Sequence, residues 1–128
     1  MRLLLDTHVV LALCGAGSAK LPKSMLEQLC DPSTASIVSV GSLWEIAIKA
    51  HLGKLRLGIA LEELPELLRS MGLEVLPIHP RHVLTPPAPE PATRDPFDRL
   101  LIAQCAAEGL RLVTIDRALA HHPLAERF

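Results

Sequence analysis

A chain of 128 residues with 49% hydrophobic content is long enough to bury a proper core and too apolar to stay disordered. Its formal charge of −1 excludes a broad basic surface of the histone-like kind. Aromatics are 2% of the residues, Trp44, Phe97 and Phe128, so the core must be Leu, Ile, Val and Ala, and a nucleic-acid site built on aromatic stacking is disfavoured.

Cys14, Cys30 and Cys105 are scattered and form no Cys-x-x-Cys pair. That excludes a disulfide framework and suits a reducing cytoplasm. Asp6 and His8 interrupt the first apolar run, which argues against a signal peptide, and no uncharged stretch is long enough to span a bilayer. We therefore expect one soluble domain over residues 1–128, with no membrane attachment.

In chain order, Met1 to Leu5 reads as a short buried strand that Asp6 ends. Val9 to Leu13 begins a helix whose exit is marked by Gly15 and Gly17. Leu21 to Cys30 reads as a helix with Pro22 in its first turn. Asp31-Pro32-Ser33 is a turn, and Ala35 to Val40, rich in β-branched residues, is a second strand. Ser39 or Ser42 starts the next helix. Ser42 and Glu45 have capping-box spacing, which alone would explain that glutamate. Gly53 ends this helix. Leu61 to Met71 is helical, with Pro65 tolerable only near its start. Leu73 to Ile78 is a strand.

His79-Pro80-Arg81-His82 begins a short helix. Its two histidines have a metal-sharing spacing but no third ligand nearby. Thr85 to Thr93, TPPAPEPAT, is a proline-rich surface loop. Arg94 to Glu108 is the central helix, with Asp95 as N-cap, Pro96 in the first turn and Asp98 at N3. Leu101, Ile102, Cys105 and Ala106 should face its core side, and Gly109 is a good C′ residue. Leu110 to Ile115 is another strand, ended by Asp116. A helical turn follows from Arg117, and the last residues are candidates for an edge strand.

Strand and helix alternate, which predicts an α/β fold: a three-layer α/β/α sandwich with a central, mainly parallel sheet. In such a sheet, ligands bind at the carboxyl ends of the strands. Asp6, Glu45 and Asp116 all follow strands, and Asp98 lies in the first turn of a helix entering from the same side. Four carboxylates in one crevice repel each other unless a cation joins them. Hard oxygen donors without thiolate or paired imidazole select Mg²⁺, or Mn²⁺. The chemistry that follows is phosphodiester hydrolysis. Thr7 and Thr114 are placed to orient waters or a phosphate. No glycine-rich phosphate loop, dinucleotide fingerprint or Ser/His/Asp order competes. An aspartyl-phosphate route would want a second Asp two residues after Asp6, where this chain has His8.

The segments LLLDTHVVLAL, SVGSLWEIAIKAHLGKLRL and RDPFDRLLIAQCAAEGLRLVTID, taken together, resemble a PIN-domain ribonuclease of the VapC toxin type, from about Leu3 to Asp116. By position, the resemblance implies that Asp6, Glu45, Asp98 and Asp116 are the metal-binding and catalytic acids. Asp95 is then a cap or supporting residue, and Thr114 is the hydroxyl residue two before the last acid. It further implies an Mg²⁺-dependent endoribonuclease that cuts cellular RNA (tRNA or another structured RNA) and arrests translation, a cognate antitoxin protein, and a homodimer. Two stretches depart from the pattern: Leu13 to Lys20 lacks a charged turn, and ALAHHPLAERF replaces the usual short final strand. The alternative is a non-catalytic PIN-like module that binds RNA or protein and uses its acids as caps. Lys49, Lys54, Arg56, Arg94, Arg99 and Arg117 are the cations considered for RNA contact.

Overall fold

The run Arg2–Leu5 forms strand β1, and alternate residues of it serve opposite faces of the sheet, as strand geometry requires. Leu3 and Leu5 join one apolar cluster and Leu4 the other. The computed structural model, which describes residues 1–128, repeats this split in the two strands beside β1. In β2 (Ala35–Ser39) Val38 joins the first cluster and Ile37 the second. In β4 (Arg111–Val113) Val113 and Leu112 divide the same way. Strands buried on both faces are mainly apolar, with Ser36 and Ser39 the buried polar exceptions in β2.

The four strands lie in the order β3-β2-β1-β4, with β3 at Glu74–Leu76. All pairings are parallel, with Leu5 opposite Val38 on one side and Val113 on the other. The first face is covered by α1 (Thr7–Leu13), α2 (Lys23–Cys30), α3 (Val40–His51) and α4 (Leu64–Ser70), through Val9, Met25, Ile46 and Leu68 among others. The second is covered by α6 (Pro96–Glu108) and α7 (Arg117–Ala120). A short α5 (Pro80–Leu84) packs on α6. This is the expected α/β/α sandwich. The chain steps from β1 outward to β3 and then returns to the other side of β1, so the direction of strand order reverses between β1 and β4. That reversal opens a crevice at the carboxyl ends of those strands.

Several elements differ from expectation in their limits. Helix α2 starts at Lys23, with Pro22 as its N-cap. The segment from Leu61 is a 3₁₀ turn, Leu61–Glu63, followed by α4, so that Pro65 falls in an α-helical first turn where its missing N–H costs no helical bond. In α6 the buried run is Leu101 to Cys105 without a break, and Ala106 is exposed. The helix is covered by the sheet, by α3 and by α5 together, so no single stripe describes it. Gln104, fully buried, approaches His82 and the Pro77 carbonyl. His82 accepts from the His79 backbone N–H at Nδ1 and meets Glu108 at Nε2 (2.7 Å), so both ring nitrogens tie α5 to its surroundings. The tail makes a single parallel bridge, Leu112 to Ala125, with Arg111 donating to the Ala125 carbonyl (2.7 Å). It covers the edge of β4 without becoming a full strand.

Gly41 sets the approach of α3 to α6. A Cβ there would sit 2.6 Å from Leu100 Cδ2. We expect Gly41→Val to cost about 1–3 kcal/mol by overpacking, measured by urea unfolding. Leu100→Ala should recover part of that loss in the double variant, and additive losses would contradict the contact.

Candidate active site

The crevice between β1 and β4 is floored by Asp6, one residue past the paired part of β1. Its N–H still donates to the Val113 carbonyl (2.9 Å), which continues the sheet and fixes the Cα position. Its carboxylate N-caps α1, with Oδ1 accepting from the Thr7 N–H (2.7 Å). Oδ2 accepts from Thr114 Oγ1 (2.7 Å). Asp6 is 2% exposed. Burial pushes its pKa up, and the Thr114 and Thr7 hydrogen bonds pull against that rise.

Glu45 reaches the same region from α3. The cap of α3 is Ser39, whose side chain accepts from the Gly41 N–H. The capping-box reading of Ser42 and Glu45 is thereby overturned: Glu45 stands in the second turn, too far along to serve the cap. Its Oε1 accepts from Thr7 Oγ1 (2.7 Å), which also lies 3.0 Å from Ser42 Oγ. Its Oε2 pairs with Lys49 Nζ at 2.9 Å, one helical turn on. Thr7 therefore joins Asp6 to Glu45, through its amide on one side and its hydroxyl on the other.

Asp98 enters from α6. Asp95 N-caps that helix, accepting from the Phe97 N–H at 2.8 Å. Thr93 Oγ1 donates to Asp98 Oδ2 (3.2 Å). The Asp98 carboxyl is pushed up to about 7, first by burial, then by the charges of Asp6 and Asp95, with a smaller contribution from Asp116. These couplings place Asp98 in the electrostatic field of both strand-end acids. Asp116 caps α7 through the Ala118 N–H (2.9 Å), and its own N–H donates to Thr114 Oγ1 (3.0 Å).

Two threonines do matching work. In Thr93-Arg94-Asp95 and in Thr114-Ile115-Asp116, the Asp N–H donates to the Thr hydroxyl oxygen, the Asp caps the next helix, and the Thr hydroxyl donates to a neighbouring acid, Asp98 or Asp6. Sequence reasoning missed Thr93 and Ser42. The repeated Thr-x-Asp before a helix start was the signal available for Thr93. Lys49, considered for RNA contact, is also the ion-pair partner of Glu45.

The acids meet in linked pairs and not in a closed cage. No three His, Cys, Asp or Glu side chains gather closely enough to hold a metal ion by themselves. Asp116 is turned toward its cap and Glu45 toward Lys49. Asp6 and Asp98 are left as carboxylates that repel each other with no cation bonded to either. A hard divalent ion held by one or two carboxylates, with water and phosphate completing its shell, suits that donor set.

The sequence matches the PIN domain family over residues 3–123, and the chain belongs to that family. No curated protein gives a significant match. The fold is thus of the nuclease type, in a family whose members are generally metal-dependent nucleases. No helix is long and apolar enough to cross a membrane.

The raised carboxyls make stability depend on pH in metal-free protein. Folded Asp98 keeps its proton to about 7, whereas the ordinary value is 3.8. Between these values the folded state binds more protons than the unfolded one, so stability falls as pH rises through the window and levels off above it. Asp6, also raised, acts in the same direction. Glu108 and Asp31, held low by hydrogen bonds, act only at lower pH. Calorimetry in EDTA should give a lower Tm at pH 8 than at pH 5. Asp98→Asn should reduce this difference by raising the Tm at pH 8. An unchanged pH dependence in the variant would contradict the assignment.

Proposed function

We propose that the protein is a metal-dependent endoribonuclease, that it acts as the toxin of a toxin–antitoxin pair, and that it arrests translation by cutting a structured RNA. The reading is supported by the raised carboxyls of Asp6 and Asp98, each pushed up first by burial, with the charge of Asp6 adding to the rise at Asp98. Two half-buried or buried carboxylates in each other's field are an unfavourable arrangement that a divalent cation relieves. Mg²⁺, or Mn²⁺, would be held by Asp6 and Asp98, with Glu45 and Asp116 acting through water. When bound, it supplies an activated water and charge stabilisation at the phosphate. The chain's own residues hold the geometry. Thr114 keeps Asp6 aimed into the crevice, Thr93 orients Asp98, and Thr7 fixes Glu45. Asp95 and Asp116 anchor the helix starts on which this depends.

The alternative, a binding module without catalysis, draws support from the capping roles of Asp6 and Asp116. One assay separates them. Purified protein is given a mixed small-RNA pool with Mg²⁺, with Mn²⁺ and with EDTA. The nuclease reading expects cutting that needs metal and falls to background in Asp98→Asn. Thr114→Val should keep the fold and lose roughly 10–100-fold, the usual effect of removing a group that orients a metal ligand. No cutting of any RNA by well-folded, metal-binding protein would favour the module.

A homodimer and an antitoxin partner belong to the same proposal. Support for the dimer is apolar exposure along α3, α5 and α6: Trp44 is 61% and Leu84 78% exposed, and Trp44 meets Phe97 edge-on at 5.5 Å. An antitoxin would compete with the metal by placing an Arg or Lys on the acids. Trp44 is the one tryptophan and the chain has no tyrosine, so its fluorescence reports on this face alone. Emission should shift to the blue as protein concentration rises, and Leu84→Glu should abolish the shift and the dimer in sedimentation. A monomer at all concentrations would refute the dimer.

A further inference from the structure

The two Thr-x-Asp units of the site are not held alike. Thr114 directly follows β4 and is fixed by the sheet. Thr93 lies in the proline-rich loop. There Pro86, Pro87, Pro89 and Pro91 carry no N–H, and residues 86–94 make no backbone–backbone hydrogen bond. Yet Thr93 Oγ1 is the hydrogen-bond partner of the Asp98 carboxylate (3.2 Å). Whatever holds this loop therefore decides how well Asp98 is aimed.

His122, buried in the C-terminal tail, reaches the loop. Its Nε2 lies 2.8 Å from the Pro89 carbonyl, and its Nδ1 accepts from the Leu124 N–H at 3.1 Å. A backbone N–H can only donate and a carbonyl can only accept, so the ring proton sits on Nε2 and points at the loop. The backbone behind the ring is tied to the core. The His122 N–H donates to the Leu119 carbonyl (2.9 Å) at the end of α7. The tail then clasps β4: the Leu112 N–H donates to the Leu124 carbonyl and the Glu126 N–H to the Leu112 carbonyl, both at 2.8 Å. The bond thus runs from a point fixed on the sheet to Pro89, shortly before Thr93. Between those two residues Glu90 pairs with Arg99, the residue after Asp98, and Pro91 is buried. The Glu90 pair is solvated and contributes little by itself.

We propose that His122 is a positioning residue for the metal site: by pinning the proline-rich loop at Pro89, it keeps Thr93 on Asp98. This rests on the nuclease reading and adds to it a residue that touches none of the acids. The tail ALAHHPLAERF, which departs from the family pattern, thereby takes part in the site. The competing role is local, with Nδ1 closing the turn at Leu124 and nothing more. The two roles use different ring nitrogens, so they can be separated. An Asn side chain places an acceptor near the position of Nδ1, and the longer Gln places a donor near that of Nε2.

The test compares His122→Asn with His122→Gln in the full chain, by amide hydrogen exchange in EDTA and by Mn²⁺ binding followed by electron paramagnetic resonance. The Asp95 N–H donates to Thr93 Oγ1 (3.1 Å) and so reports on Thr93 without any metal. In His122→Asn this amide should exchange about 5-fold faster, the effect of losing one ordinary hydrogen bond. Mn²⁺ affinity should fall about 10-fold, at the lower end for a group that orients a metal ligand. His122→Gln should stay near the wild type in both. Thr93→Val should lose at least as much Mn²⁺ affinity as His122→Asn, and the double variant should lose no more than Thr93→Val alone, because the two lie on one path. The reverse order, with Asn intact and Gln impaired, would assign His122 to the turn and overturn the proposal. Equal effects of Asn and Gln, or additive losses in the double variant, would overturn it as well. A wild type that binds no Mn²⁺ would remove the nuclease reading, and the Asp95 exchange rates would still decide whether His122 holds Thr93.

Discussion

Like charge held at close quarters in a poorly solvated crevice is the constraint on which the rest of this structure turns. Asp6 is 2% exposed and cannot retreat, because its backbone completes the pairing of β1 with β4. Asp98 is fixed by the start of α6. Neither has a bonded cation, and both carboxyls are pushed up. A fold that needed only caps could place them apart. Here hydrogen bonds from Thr7, Thr93 and Thr114 hold them in place instead. Stability given up at such a point is the usual companion of a site prepared for a ligand.

The sheet makes that placement possible. Parallel strands align their carboxyl ends on one side, and the reversal of strand order at β1 leaves a gap where no crossover covers those ends. The apolar run of β1 serves both faces and so locks its register. A slip by one residue would exchange Leu4 with its neighbours and move Asp6 off the floor of the crevice. Packing and site are thus one requirement. The buried run Leu101 to Cys105 anchors α6, whose half-buried first turn carries Asp98.

Much of this was legible in the residues. The first strand was legible as the continuous apolar run Leu3 to Leu5 and the second from its β-branched residues, and Asp95-Pro96 and Gly109 marked both ends of α6. What local pattern could not deliver was anything set by a partner distant in sequence. Glu45 has capping-box spacing from Ser42, yet Thr7, 38 positions away, takes its carboxylate. Ala106 has the right period for the core, but α5 covers the other side of α6 and buries Gln104 instead. Pro65 split one expected helix into a 3₁₀ turn and a helix, since a missing N–H is harmless only in a first turn. The role of Thr93 was hidden in a proline-rich loop whose composition suggested no more than a connection. Low aromatic content gave no hint that Trp44 and Phe97 would meet each other.

Calorimetry of the protein with and without Mg²⁺ at pH 8 shows whether a divalent cation relieves the carboxylate repulsion. Mg²⁺ should raise the Tm of the wild type, as any ligand of the folded state must. Asp98→Asn should start from a higher Tm without metal and gain little when Mg²⁺ is added. A wild type indifferent to Mg²⁺, or a variant that gains as much as the wild type, would contradict that relief.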